Sequence, residues 1–359
     1  MKIAMLFSGG VDSSVAMKLL QEEGHEVTAH YLKIWLEDDM AFMGDCPWEE
    51  DLSYVRQTCD QLGVPLEVVN MQQEYFDTVV EYTINELKSG RTPSPDIMCN
   101  QNIKFGLFFK KIGDKFDKIA SGHYADIEEK HGKYYLKQAP DPVKDQTYFL
   151  TYLNQKQLSK IYFPIGKLTK EEVRLLAEKY QLPSKSRKDS QGICFLGKIK
   201  YNTFIDYYLG EDKGDIVEAE SNRKLGEHKG FWYHTIGQRQ GLGLSGGPWY
   251  VVKKDLANNI VYVSNIKKSD EVLRDKFIAS NVNWIPEKPD EVNLKVKLRH
   301  GPKKYDCTIE HIDGSSCYVY LAEKDQGLAA GQFAIFYYGD YCLGGGMINI
   351  LSTDTNLSG

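Results

Sequence analysis

Residues Ser8 to Ser14 read SGGVDSS, two glycines and three serines around a single aspartate. Glycine lets the backbone take positive φ and admits a ligand closely, and serine adds hydroxyl donors, so the chemistry of such a stretch is anion binding. The lysine of a G-x-x-x-x-G-K-[ST] loop is absent and the spacing does not fit G-x-G-x-x-G, which points to a different handling of phosphate. An ordinary turn capped by Ser8 or Asp12 is the plainer alternative. Two cysteines also stand in polar or glycine-containing surroundings. Cys99 follows Asp96 by three residues in RTPSPDIMCN, and a thiol near a helix start is a candidate for a lowered pKa. Cys194 lies in the small-residue loop DSQGICFL. By contrast, Cys59, Cys307, Cys317 and Cys342 fall in apolar or alternating runs and read as buried small hydrophobes. Taken singly, Asp96 would serve as a helix cap and His123 as a loop histidine.

These residues need a scaffold, and hydrophobic periodicity supplies one. Ile3 to Phe7 is an apolar run of strand length, and Val11, Val15, Ala16, Leu19 and Leu20 recur at helical spacing after it. A strand therefore turns straight into a helix at SGGVDSS, where the helix dipole favours a phosphate or pyrophosphate. His25 to Ile34 and Val64 to Val69 offer further strands, Glu49 to Leu62 and Tyr75 to Lys88 amphipathic helices, and Lys118 to Ala120 a short strand leading into SGHY at Ser121 to Tyr124. The alternation predicts a doubly wound parallel α/β sheet whose ligands gather at the carboxyl ends of its strands. SGGVDSS, the segment after Tyr31 and SGHY should line one crevice. Asp126 to Leu136 reads as a hairpin about His131 and Gly132, and Lys170 to Tyr180 as a helix.

From about Gly214 the helical period fades. Short alternating runs separated by Asn258-Asn259, Asp313-Gly314 and Gly339-Asp340 predict two small β-rich domains, the last a β-barrel. The stretch Gly237 to Gly247, GQRQGLGLSGG, is either a mobile loop bearing Gln238, Arg239 and Gln240 or a tight β corner. The boundaries read from these shifts are residues 1–198 for the α/β domain, 199–275 for a central β-rich domain and 276–359 for the terminal barrel, with Pro286 and Pro289 marking a linker near the last.

Composition bounds the function classes. At 359 residues the chain exceeds one usual domain, and 42% hydrophobic with 26% charged residues belongs to a globular protein. No apolar stretch approaches the ~18 residues of a membrane span. The opening residues carry neither signal-peptide nor Arg-rich leader features, so the expected compartment is the cytoplasm. Seven cysteines without a C-x-x-C pair argue against a disulfide scaffold and a structural zinc site. The net charge of −6 taken alone favours a small-molecule enzyme, yet Lys185, Arg187 and Lys188 form one basic cluster and Lys295, Lys297, Arg299, Lys303 and Lys304 another. A local patch suffices for an RNA surface, and a solvated face is the alternative for each.

Eight segments, taken in order, resemble those of one family, the tRNA-specific 2-thiouridylases: SGGVDSS, YLKIW from Tyr31, TPSPDIMCN from Thr92, SGHY, KDQTYFL from Lys144, DSQGICFLG from Asp189, HTIGQRQGLG from His234 and GQFAIFY from Gly331. The heptad alone resembles the pyrophosphate loop of the ATP pyrophosphatase superfamily, which cleaves ATP between its α and β phosphates. The likeness covers nearly the whole chain and implies an adenine nucleotide hydrolase-like fold. It implies adenylation of the C2 oxygen of a wobble uridine in tRNA, then replacement of that oxygen by sulfur from a cysteine persulfide. By resemblance Cys194 accepts the sulfur, Cys99 resolves the persulfide through a Cys99 to Cys194 disulfide that an external thiol reduces, and Asp96 is the acid/base group beside the target base. ATP would be held by Leu6, Phe7, Ser8, Gly9, Gly10, Val11, Asp12, Ser13, Ser14, Leu32 and Gly122, with Mg2+ accompanying it. The tRNA would be met by Ser94, Pro95 and Asp96 at the target base, and by His123, Lys144, Asp145, Gln146, Arg299, His300 and Gln332 elsewhere. The implied protein partner is a persulfide sulfur donor of a cysteine desulfurase relay.

Two positions depart from the family pattern. Ser94 stands where Asn is common before Pro-Asp, and Leu32 where Met is common; Ser94 keeps a hydrogen-bonding side chain and Leu32 an apolar contact. Other readings share the loop. A synthetase acting on a small carboxylate would leave Cys99, Cys194 and the β-rich half without a purpose. An RNA-binding protein with an idle nucleotide site would show no ATP turnover, and thiolation of another tRNA position would differ only in its product.

Overall fold

The structure is a computed structural model that describes residues 1–34, 47–188, 200–265 and 274–351. Its first layer follows from the apolar runs. Strands β1 (Lys2–Leu6) and β2 (Glu26–Lys33) pair in parallel, β3 (Leu66–Asn70) lies beyond β2, and β4 (Lys118–Ser121) flanks the other side of β1. β5 (Ala125–Lys130) and β6 (Lys133–Gln138) make the expected hairpin about His131 and Gly132, and β7 (Ile161–Tyr162) completes a parallel sheet of order β3-β2-β1-β4-β7. Helix α1 (Val11–Glu22), helix α2 (Pro47–Leu62) and the helix Lys170–Lys179 cover one face, where Val15, Leu20, Val55 and Val173 share a core with Ile3 and Met5. Residues 72–112 cover the other, packing Tyr75, Val79, Ile103 and Phe108 against Ala4 and Ile119. This is the doubly wound arrangement expected, and its strand order reverses between β1 and β4, where such sheets bind ligands.

The central sheet has the order β10-β11-β8-β9, from β8 (Gly214–Glu218), β9 (Lys224–His228), β10 (Trp249–Asp255) and β11 (Ile260–Asn265). It curls over Ile216, Trp249, Val251, Val261 and Val263. Residues 237–247 form a run of turns, in which Gln238 Nε2 donates to the Gln240 carbonyl at 2.9 Å.

The terminal domain is a closed antiparallel barrel of β12 (Arg274–Trp284), β13 (Asn293–Lys297), β14 (Tyr305–His311), β15 (Cys317–Asp325), β16 (Phe333–Tyr338) and β17 (Tyr341–Asn349). β12 pairs with β15 on one side and β17 on the other, which seals the ring. Pro286 and Pro289 therefore mark no linker. They lie inside the barrel, between β12 and β13, where a residue without an amide donor ends a strand. The β5–β6 hairpin also joins the barrel, since Lys137 and Leu136 pair with Tyr341 and Cys342 of β17. Cys59, Cys307, Cys317 and Cys342 are the buried hydrophobes expected. Burial pushes the Cys59 thiol up to about 11 and the other three to about 12. Among the described residues no helix is long and apolar enough to cross a membrane.

Candidate active site

The anion loop forms because β1 ends at the sheet's edge while α1 must start at once. Gly9 turns the chain at φ +72°, and a Cβ there would stand 2.8 Å from the Asp51 carbonyl oxygen, so only glycine fits. Gly10 is the helix cap and offers no side chain to the first-turn amides. The hydroxyls of Ser13 and Ser14 instead donate backwards to the Gly10 carbonyl at 3.1 and 2.8 Å, and Ser8 Oγ lies 3.2 Å from Ser13 Oγ. An uncapped amino end with flanking hydroxyls is a fit for pyrophosphate. Leu6 and Phe7 are buried beneath it, and Leu32 is half-buried at the corresponding end of β2.

SGHY arrives from β4 on the far side of the switch point. Gly122 packs onto the start of α1, where a Cβ would meet the Ser13 nitrogen at 2.8 Å. Tyr124 donates its hydroxyl to Asp12 Oδ1 at 2.8 Å, and Lys170 Nζ pairs with the same oxygen at 2.7 Å. His123 Nδ1 lies 2.8 Å from Ser121 Oγ, and its ring packs against Phe105 and Phe163. That enclosure, with a smaller push from Lys104, holds its pKa well below the usual histidine range, so the imidazole is neutral.

Two residues close the loop from behind. Ser184 Oγ donates to Ser14 Oγ at 2.8 Å. Arg187 donates to the Gly9 carbonyl at 2.9 Å, pairs with Asp51 at 2.5 Å and stacks on Tyr54 at 4.4 Å. Arg187 thus turns inward from the basic cluster read in the sequence. Tyr124, Lys170 and Ser184 carried no signal there beyond their neighbours.

Asp96 and Cys99 share one helical stretch. Pro95 starts the helix Pro95–Met98, and a wide turn over Cys99–Leu107 follows; such π turns recur at functional sites. Cys99 is one turn into the helix, its amide bonded to the Asp96 and Pro95 carbonyls, and it is only 1% exposed among apolar neighbours. The polar surroundings read for this thiol are thus a feature of the sequence, not of its packing. Asp96 is half-buried, and the Ser94 amide donates to Tyr82 Oη at 3.3 Å. The stretch reaches SGHY through the Phe105–His123 ring contact at 6.0 Å. Cys194 lies outside the described residues.

The barrel holds this stretch from the other end. The Thr92 amide donates to the Ala330 carbonyl at 2.8 Å. His300 stacks on Phe149 at 4.6 Å; burial and Lys297 lower its pKa, opposed in part by the carboxylates of Asp145 and Asp96. Arg299 is paired with Asp325, and Gln332 Oε1 is a buried acceptor without a partner among the described residues. Asp145 is 1% exposed and faces Lys297 at 2.8 Å instead of solvent, while Gln146 Oε1 accepts from the Tyr124 amide at 3.0 Å and Lys144 stays half-buried. Of the expected residues, contacts thus link the loop to SGHY through Gly122, SGHY to the Asp96–Cys99 stretch through Phe105, and that stretch to the barrel through Thr92.

Fold and site define a class: an α/β domain with an anion loop at its switch point, extended by two β-rich domains. Profiles of known families match in the same three parts, a tRNA methyl transferase HUP domain over residues 1–198, a tRNA methyl transferase PRC-barrel domain over 202–265 and an aminomethyltransferase beta-barrel domain over 274–348. A tRNA-specific 2-thiouridylase of Parabacteroides distasonis is 49% identical over 355 residues, 97% of this chain and 99% of that one. Those of Bacteroides thetaiotaomicron and Porphyromonas gingivalis are 46% and 45% identical, each over 97% of this chain and 99% of theirs. The chain belongs to the tRNA-specific 2-thiouridylase family.

Proposed function

We propose that the chain is an ATP-dependent tRNA-uridine 2-sulfurtransferase acting on the wobble uridine. A pyrimidine carbonyl oxygen is a very poor leaving group. Its attack on the α-phosphorus of ATP, with loss of pyrophosphate, converts it into the oxygen of AMP. The terminal sulfur of a persulfide on Cys194 then attacks C2 and displaces AMP, leaving a Cys194–S–S–C2 link. Cys99 attacks the Cys194 sulfur, the S–S bond breaks, and C2 keeps its sulfur as 2-thiouridine. The product disulfide between Cys99 and Cys194 is reduced by an external thiol, and a persulfide donor protein of a cysteine desulfurase relay reloads Cys194.

The observation that carries this reading is the contact of the Asp96–Cys99 helical stretch with SGHY, which itself backs the anion loop through Gly122. It supports a base and a nucleotide meeting in one crevice. The first-turn amides of α1 take the pyrophosphate portion, Gly122 and Leu32 border the nucleotide, and Asp96 moves a proton beside the base. Mg2+ would accompany ATP and would supply charge neutralisation at its phosphates. The uridine must leave its stack to enter, a cost of ~a few kcal/mol that contacts elsewhere on the tRNA offset. The buried Gln332 acceptor supports RNA contact beside the crevice. Work on tRNA with a reducible disulfide belongs in the cytoplasm.

Nucleoside mass spectrometry on unthiolated tRNA tests the reading, with the protein, ATP, Mg2+ and a persulfide source. The expected product is 2-thiouridine at the wobble position, only with ATP. Cys194→Ser should abolish it while ATP and tRNA still bind; thiolation at the wild-type rate in that variant would remove the persulfide assignment.

A further inference from the structure

The β5–β6 hairpin, residues 139–142 and the terminal barrel enclose a groove of about 730 Å³. Five lysines line it against two aspartates, Asp126 and Asp340, and Pro140, Pro142 and Pro302 stiffen its walls. Its floor holds one negative charge for two ammonium groups. Asp145 pairs directly with the buried Lys297 at 2.8 Å, and takes a hydrogen bond from Gln138 Nε2 at 3.1 Å. Lys304 Nζ donates to the neutral Gln138 Oε1 at 2.6 Å and lies 4.9 Å over the Tyr337 ring. Lys304 is thus a half-buried ammonium with no carboxylate paired to it among the described residues. Burial and the charge of Lys297 lower its pKa, with Asp145 and Asp340 opposing, so an added anion would relieve it. Around the rim, Lys295 pairs outward with Asp306, and Lys167 and Lys137 lie 3.8 Å from Asp126 and Glu128. The groove's floor connects to SGHY through the partner of Lys297. Gln146, next to Asp145, exchanges backbone and side-chain hydrogen bonds with Tyr124 of SGHY.

We propose that this groove, centred on Lys304, binds backbone phosphates of the tRNA outside the loop that carries the reacting uridine. A concave, lysine-lined groove suits a phosphodiester chain, and such contacts position RNA without reading its sequence. The proposal rests on tRNA being the substrate.

The test uses the full chain with two variants, Lys304→Gln, which keeps a donor toward Gln138, and Lys167→Glu, whose side chain is 81% exposed and outside any core. For full-length tRNA each should raise Kd about five- to tenfold near 50 mM salt and shallow the slope of log Kd against log salt by about one. The rate at saturating tRNA should not change. Unchanged Kd and salt slope in both variants would overturn the groove while leaving the thiolation reading intact. A phosphate-induced rise in melting temperature that the variants lose, with tRNA affinity retained, would assign the groove to a free phosphate and overturn the RNA assignment. A wild-type chain that binds no tRNA would overturn both proposals.

Discussion

A Cβ at Gly122 would stand 2.8 Å from the Ser13 nitrogen and 2.9 Å from the Asp12 carbonyl carbon, so SGHY and the anion loop touch backbone to backbone. Neither partner is a flexible side chain. Gly122→Ala must therefore push the loop away from β4, at a strain of about 1–3 kcal/mol. The expected outcome is a roughly tenfold loss of affinity for a non-hydrolysable ATP analogue by equilibrium titration, with tRNA binding kept. Unchanged nucleotide affinity would show that Gly122 does not border the nucleotide.

Arg187 grips the loop twice, at the Gly9 carbonyl and through Asp51. Arg187→Gln removes charge-assisted bonds each worth about 1.5–3 kcal/mol. KM for ATP should rise about tenfold or more in steady-state thiolation assays, and Arg187→Lys should restore part of it. A loss in tRNA affinity alone would return Arg187 to the RNA-facing basic cluster.

Lys297 and Asp145 are both buried, so removing one leaves the other charge uncompensated. Lys297→Met should cost about 3–5 kcal/mol in urea unfolding, and adding Asp145→Leu should recover much of it. A single variant as stable as wild type would mean the pair is not desolvated.

His234, 6% exposed, has its pKa lowered to about 4 by burial, then by the neighbouring His228 and Lys254. The unfolded chain binds this proton below about 6.5, the folded protein only near 4. Stability from this group is therefore present above pH ~6.5 and is lost as the pH falls toward 4, by up to about 3 kcal/mol. Chemical melts across that window should show the slope, and His234→Gln should flatten it.

The catalytic sheet was legible because its signals are local. An apolar run followed by SGGVDSS or by SGHY announces both a strand and the loop that leaves it, and the hairpin about His131 and Gly132 announces itself through its turn. Long-range partners left no such mark. Lys297 read as one lysine in a basic cluster, whereas its burial depends on Asp145, 152 positions away. The prolines at 286 and 289 looked like a linker because nothing local shows that β12 pairs on both edges. Cys99 read as polar from its flanks, while its helix turns it toward Ile97 and Ile103 in the core. Arg187 and Ser184 precede the GIC motif in sequence, and only folding brings them behind the anion loop.

The central claim is that the uridine oxygen leaves on AMP, and the most direct test follows that atom. tRNA carrying oxygen-18 at the uridine C2 position is incubated with the protein, ATP, Mg2+ and a persulfide source, and AMP is analysed by mass spectrometry. One heavy oxygen in AMP for each 2-thiouridine formed is the expected result. Formation of 2-thiouridine alongside unlabelled AMP would contradict adenylation of the base.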